Sequence, residues 1–389
     1  MFAVLLSLVA IMLLWGEIIG GAGVVQGSNA APLAILHIGP HKTSSSRVQG
    51  ILVNLADDLA GVNFYLPPYK YQSGTELISD PKGVSRFAHA LIGAKGVNSN
   101  YELKFMDEFL KNSLQLNRNI ILSAEKFSFL NQSVAAHLKE MLSGFRVLVV
   151  YVYRDVLSQM VSLHFESNRF ETKIFSSSFS AYLLKNMDGS KNAFPRPIKM
   201  LDTFSTVFGT KNMRIIDLHG ATAAKKEVTH VLLCQIAGVL CDRNLSTIQV
   251  FSNPSYSLIP SQVFSHLKAY VVKQNDGKCR FCNHLFSAYQ HFAERYANET
   301  MIHPPPRNIS TKLPLLLPYA HQIDAQLREK YHGHILEGNR EANLKRMAQV
   351  RVEELDEDAF LEDVHWDQWI RSEYHNALLE GRLCNCTVV

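Results

Sequence analysis

Apolar residues along the chain fall into short continuous runs separated by helix-spaced and polar stretches. Leu33–Gly39 is a brief apolar run of the kind a buried strand makes, and Asn119–Ala124 is a second. Arg146–Tyr153 is longer, β-branched and aromatic throughout, as a central parallel strand should be. Met213–Leu218 is a fourth run. Between these runs the spacing changes. Residues 44–59 place Val48, Ile51, Leu52 and Leu55 on one helical face, Val156–Phe165 reads as a helix, and so do residues 224–238. Strands alternating with helices predict a doubly wound α/β fold, a three-layer sandwich around a central parallel sheet. Residues 60–118, with their Pro, Gly and Tyr content, read as an insertion facing a substrate. Beyond residue 250 the pattern is mainly helical, with loops near Pro254 and His303–Pro306.

The start of the chain follows another rule. Phe2–Trp15 is apolar except for Ser7, Glu17 interrupts, and Ile18–Val25 is apolar and Gly-rich. Residues 1–27 therefore read as a signal peptide or signal anchor, with 28–32 as linker. The body is expected over 33–350, followed by an acidic tail over 351–389. Membrane association is expected only through the N-terminal segment, which points the body into the secretory pathway: the Golgi lumen if the leader is kept, secretion if it is cleaved. Sequons at Asn131, Asn244, Asn298, Asn308 and Asn385 agree with that address. So do six cysteines in three local pairs, Cys234/Cys241, Cys279/Cys282 and Cys384/Cys386, which read as disulfide candidates. Cys279 and Cys282 with His284 and His291 are too compressed for the usual zinc spacing.

Composition adds one constraint. The formal charge of +4 hides an uneven distribution. Residues 33–352 hold 37 bases and 24 acids, and residues 353–389 hold 2 bases and 10 acids. A cationic body suits an anionic ligand. The apolar content, 47%, excludes a disordered chain. Nothing points to nucleic acid.

The first predicted strand runs into Gly39-Pro-His-Lys-Thr-Ser-Ser-Ser46 and then a helix. Ligands of open α/β sheets sit at the carboxyl ends of strands, and a helix N-terminus there offers unpaired amides to a phosphate. The Walker order G-x-x-x-x-G-K-[ST] is absent, which argues against an ATPase or a nucleoside kinase. The run His37-Ile-Gly-Pro-His-Lys-Thr43, followed by hydroxylated residues, resembles the 5′-phosphosulfate loop of the PAPS-dependent sulfotransferases, a P-loop NTPase-like fold. That family's second signature is an Arg ending a central strand with a Ser eight residues on. Arg154 and Ser162 stand at that spacing.

The resemblance implies a donor, 3′-phosphoadenosine 5′-phosphosulfate (PAPS), and sulfuryl transfer to a hydroxyl, with no metal required. It implies that Lys42, Thr43, Ser44, Ser45 and Ser46 hold the 5′-phosphate, and that Arg154 and Ser162 hold the 3′-phosphate. Lys42 would also neutralise charge on the leaving oxygen. Most members carry Gly where this chain has Ser44, so φ at Ser44 is expected to stay negative. Asp155 is expected to cap the next helix. The acceptor needs a general base. Glu125, just after the second strand, is the first candidate; His41 is the second. His37, inside its strand, reads as a core residue. A glycan or glycoprotein acceptor fits the compartment and the charge. A protein-tyrosine acceptor, or a degenerate non-catalytic nucleotide- or glycan-binding protein, remains open.

Overall fold

The computed structural model describes residues 30–73, 76–80, 82–94, 96–170, 196–248, 258–274, 280–281, 285–309, 316–350, 353–380 and 383–384. The leader, Cys279, Cys282, His284, Cys386 and Asn385 lie outside them. Among the described residues no helix is long and apolar enough to cross a membrane. The chain divides into two compact units.

The first unit comprises residues up to 153, 199–252 and 333–338. It is built on a parallel sheet of β1 (Leu33–His37), β2 (Phe64–Tyr65), β5 (Asn119–Ser123), β6 (Arg146–Tyr153), β7 (Met213–Asp217) and β10 (Ile335–Leu336). Their order is β10-β7-β6-β1-β5-β2. An antiparallel hairpin, β3 (Lys70–Ser73) and β4 (Glu76–Ser79), lies in the insertion. The expected doubly wound α/β fold is therefore present. Strand β1 sits where the order reverses: β5 and β2 lie to one side, β6, β7 and β10 to the other. A crevice for ligands belongs at the carboxyl end of such a strand.

The apolar runs explain the core. Leu33, Ile35, Ile121, Val150, Val152 and Ile216 are buried with Val48, Ile51, Leu52 and Leu55 of the first helix. That helix spans Ser45–Asn54, and a second, Ala56–Gly61, replaces the end of the single helix expected over 44–59. The insertion is more regular than its composition suggests. It adds strand β2 to the sheet and contributes the helices Gly83–Leu91 and Ser99–Gln115.

The helix expected over 224–238 begins at Val228, after a separate short helix. Asp217 Oδ1 accepts from Gly220 N at 3.1 Å and caps a helix over Leu218–Ala223. Glu227 then caps Val228–His230, which continues as a π-helix over Val231–Ile236. The Cys234–Cys241 disulfide closes the following loop, as the local pairing anticipated.

The second unit comprises residues 154–198, 253–332 and 339–389. Its helices include Val156–Phe170, Leu258–Gln274, Leu285–Ile302, Leu317–Tyr331, Arg340–Gln349 and Val364–Leu379. Two short antiparallel pairs join β9 (Arg307–Ile309) to β11 (Glu353–Leu355) and β8 (Arg280–Phe281) to β12 (Leu383–Cys384). The division cuts across the expected boundary at 350. The acidic stretch is not a solvated tail. Trp366 is fully buried there, packed with Phe264, Tyr289, Phe292 and Phe360. One of its acids, Glu373, is buried and accepts from Arg295 Nε at 2.8 Å, and another caps the helix, where Asp363 Oδ1 accepts from His365 N at 2.9 Å. Charge content hid an aromatic core spaced at helical intervals.

Trp366→Ala is expected to destabilise the protein by about 3–5 kcal/mol, as large-to-small core changes do. Denaturant unfolding checks this; a change under about 0.5 kcal/mol, the value for a surface site, contradicts the packed arrangement.

Candidate functional site

The site in the first unit is assembled where β1 and β5 end side by side. Beyond β1 the ladder to β6 persists: Ile38 N donates to Val150 O at 2.9 Å and Val152 N to Gly39 O at 3.1 Å. Gly39 has φ of +79°, open to glycine without strain. A Cβ at Gly39 would lie 2.7 Å from Glu125 Cα, so the absence of a side chain lets the two strand ends close on each other. Ala124 N donates to His37 O at 3.1 Å. His37 Nδ1 and Ser123 Oγ share a hydrogen bond of 2.8 Å, and Gln49 Nε2 donates to Ser123 O at 3.2 Å. Three residues thus fix the exit of β5 immediately before Glu125. His37 is the buried core residue expected. Burial outweighs the pull of the Glu125 charge and lowers its imidazole to about 4, so the ring is neutral.

The loop after Gly39 folds on its own carbonyl. Thr43 Oγ1 donates to Pro40 O at 2.6 Å and Ser45 Oγ to the same oxygen at 3.0 Å. Both side chains are buried. Their hydroxyl protons are therefore engaged within the loop, which corrects the expectation of a row of hydroxyl donors facing a phosphate. Ser44 and Ser46 are half-buried, and the first turn of the helix at Ser45 leaves amides with no intrahelical partner. Val48 N donates to Ser44 O at 3.0 Å, the first helical bond.

Ser44 has φ of +65°, where a negative value was expected. Lys42 has φ of +66°. Left-handed residues alternating with Thr43 curl successive amides inward, the backbone arrangement that cradles anions. A side chain in that region costs about 1–2 kcal/mol per residue. The loop thus keeps the backbone shape that Gly would adopt freely, at some cost in strain.

Glu125 opens a 3-10 turn, Glu125–Phe129, directly after β5. Its Oε1 lies 3.2 Å from His41 Nδ1. Burial alone would raise this carboxyl. The hydrogen bond and charge of His41, with the charges of Lys82 and Lys126, prevail and hold it at about 2. A carboxylate that weakly basic takes protons poorly near neutral pH, so Glu125 is not suited to act as the base alone. The pair has a different logic: a buried carboxylate can hold an imidazole in a fixed orientation. His41 also meets Phe129, with ring centroids 5.7 Å apart.

Arg154 and Ser162 belong to the second unit. Arg154 is the residue after Tyr153, the last of β6. Burial lowers its guanidinium from the ordinary arginine value, with Asp155 opposing and Arg346 adding to the effect. Asp155 Oδ1 accepts from Ser158 N at 2.9 Å and so caps the Val156–Phe170 helix as expected. Ser162 is half-buried on that helix, and His164 is fully buried. The structure thus gathers His41, Lys42, Thr43, Ser44, Ser45, Ser46 and Glu125 at the carboxyl ends of β1 and β5, while Arg154 and Ser162 belong to the second unit. Sequence reasoning missed Gly39, Gln49 and Phe129. Gly39-Pro40, where a strand turns sharply, was the available signal for the first. Among the described residues, no group of three or more His, Cys, Asp or Glu side chains is placed to hold a metal ion.

No family model matches the chain, and no curated protein matches it. Among solved structures, a sulfotransferase from Alicyclobacillus acidocaldarius is similar over 64% of this chain and 94% of its own, at 13% identity and a TM-score of 0.36. A likeness of that size carries no argument about activity.

Gly39→Ala should lower stability by about 2–4 kcal/mol, since it adds a backbone clash to a left-handed φ. Ser44→Gly should raise it by about 1 kcal/mol by releasing strain. Chemical denaturation of the two variants checks both signs; a destabilised Ser44→Gly would mean that the loop is not left-handed there.

Proposed function

We propose that the protein is a PAPS-dependent sulfotransferase acting on a carbohydrate hydroxyl. The observation that carries the reading is the loop after β1: a cationic Lys42 in an amide-curling backbone, leading into a helix N-terminus, beside an imidazole–carboxylate pair. Anion recognition and a proton acceptor stand at one strand edge, as group transfer from a phosphate-bearing donor to a hydroxyl requires. The motif order in the sequence supports the same reading, with Arg154 and Ser162 at the second signature.

In this mechanism the amides of residues 43–46 receive the 5′-phosphate, and Lys42 neutralises the charge that grows on the oxygen linking it to sulfur. Arg154 and Ser162 engage the 3′-phosphate. The acceptor oxygen forms a bond to sulfur as the bond from sulfur to the 5′-phosphate oxygen breaks. The acceptor proton passes to His41, whose imidazolium is steadied by Glu125, and 3′,5′-adenosine bisphosphate leaves. Catalysis of such an in-line transfer is mostly positioning and electrostatics.

Calorimetry with 3′,5′-adenosine bisphosphate tests the donor site. Binding at micromolar levels is expected, weakened by about 2–4 kcal/mol in Arg154→Ala through loss of a charge-assisted contact, and weakened also in Lys42→Ala. No binding by the wild type sinks the proposal.

A labelled-sulfate transfer assay over a glycan panel tests the proton acceptor. His41→Ala should lose turnover by about 100-fold or more while retaining bisphosphate binding, and Glu125→Gln should lose turnover to a lesser extent. Glu125 acting alone would keep the rate flat down towards pH 2. A rate that already falls above pH 4, in protein shown to be folded, rules Glu125 out as the base. Bisphosphate binding without turnover of any glycan or tyrosine peptide would favour a non-catalytic binding protein.

A further inference from the structure

The mechanism leaves three bases at this edge without a role. The Gly83–Leu91 helix packs against the 3-10 turn that begins at Glu125, with the Phe87 and Phe127 rings edge to face at 6.2 Å. Lys82 precedes the first residue of that helix and His89 stands in its last turn. Lys126 follows Glu125 in the turn itself. Among the described residues neither Lys82 nor Lys126 forms an ion pair. All three sense the same small region. Lys82 and Lys126 both pull on the Glu125 carboxyl, and burial, Lys126 and His41 lower the His89 imidazole while Glu125 opposes them.

An aromatic face completes the group. Phe129 is 47% exposed, an unusual state for a large ring beside a buried charge. Lys126 Nζ lies 5.3 Å from its centroid on one side, and the His41 ring lies 5.7 Å from it. An exposed ring bordered by cations offers an apolar surface to the face of a sugar and positive charge to its substituents. The donor does not account for these bases, because its phosphates are served by Lys42, the loop amides and Arg154.

We propose that Lys82, Lys126 and Phe129 form an acceptor subsite that selects an anionic sugar, one bearing a carboxylate or sulfate ester beside the hydroxyl to be modified. This rests on the sulfotransferase reading and names its acceptor class. A sugar is favoured over an acidic peptide by the nearness of Lys126 and Phe129 to the His41–Glu125 pair. Lys126 follows Glu125 directly and borders the same Phe129 ring that meets His41, so the acceptor's charge would sit close to the reacting hydroxyl. In a pyranose, ionised substituents and hydroxyls share one ring. In a tyrosine peptide a whole aromatic ring separates the hydroxyl from the flanking carboxylates.

The test compares a uronate-containing oligosaccharide with its carboxyl-reduced counterpart. For the wild type, KM should be about tenfold lower for the uronate form and should rise with salt, as screened charge contacts require. In the Lys82→Ala/Lys126→Ala double variant the KM ratio of the two oligosaccharides should fall to about one, whatever the change in turnover, with bisphosphate binding kept. The Lys82→Arg/Lys126→Arg variant should retain the preference, which separates charge from folding. Equal KM values for both oligosaccharides in the wild type overturn the inference. Turnover of an acidic tyrosine peptide but of neither oligosaccharide also overturns it. If bisphosphate binds but no acceptor turns over, calorimetry of each oligosaccharide in the presence of bisphosphate decides: tighter binding of the uronate form by the wild type alone supports the subsite, and equal binding rejects it. Failure of bisphosphate binding instead strikes the underlying sulfotransferase reading, so the two failures are distinguishable.

Discussion

A carboxylate confined at the end of β5 organises this edge of the first unit. Burial works against its charge, and His41, Lys82 and Lys126 must overcome that penalty to keep Glu125 ionised. The backbone serves the same end. Gly39 has no side chain, so β1 and β5 can close until a glycine Cα faces the Glu125 main chain. His37, Ser123 and Gln49 fix the approach from beneath. The loop that follows then has little freedom, and it takes left-handed angles at Lys42 and Ser44. Chemistry, strain and packing are linked because they meet within a few residues.

The alternating apolar runs made the parallel sheet legible. Four of its six strands were visible because each is buried on both faces and therefore continuous in apolar residues. The two that escaped notice, β2 and β10, are two residues long and lie at the sheet edges. The helix expected over 224–238 is present from Val228 to Ile236: Glu227 caps its start a few residues late, and it continues as a π-helix. The acidic stretch misled for another reason. Charge dominates its composition, yet Trp366, Ile370 and Ala377 recur at helical spacing and are buried. Spacing was the better guide there.

The site was legible in its residue types and less so in its division of labour. Lys42 and the hydroxylated run stand out in sequence, but nothing linear shows that Thr43 and Ser45 turn their hydroxyls onto Pro40. Nor does sequence spacing show that His41 and Glu125, 84 positions apart, meet at 3.2 Å. That pairing arises from the register of β1 against β5, with His37 opposite Ser123. Base strength in turn depends on that pairing, so the question of which group accepts a proton becomes answerable only in three dimensions.

The route of the chain through the sheet bears on how the protein is made. Strand β10, at residues 335–336, pairs with β7 only after the chain has passed through most of the second unit. Lys226 and Gln235 both bond Glu337, so the returning segment is held by charge as well as by its ladder. Until those residues leave the ribosome, β7 has an unpaired edge on a nascent sheet. An open edge of that kind is where a growing chain pairs with the wrong neighbour. Synthesis of this protein therefore passes through a long interval in which its central sheet needs shielding, and a message cut short before residue 333 would yield a product whose hazard is association rather than mere inactivity.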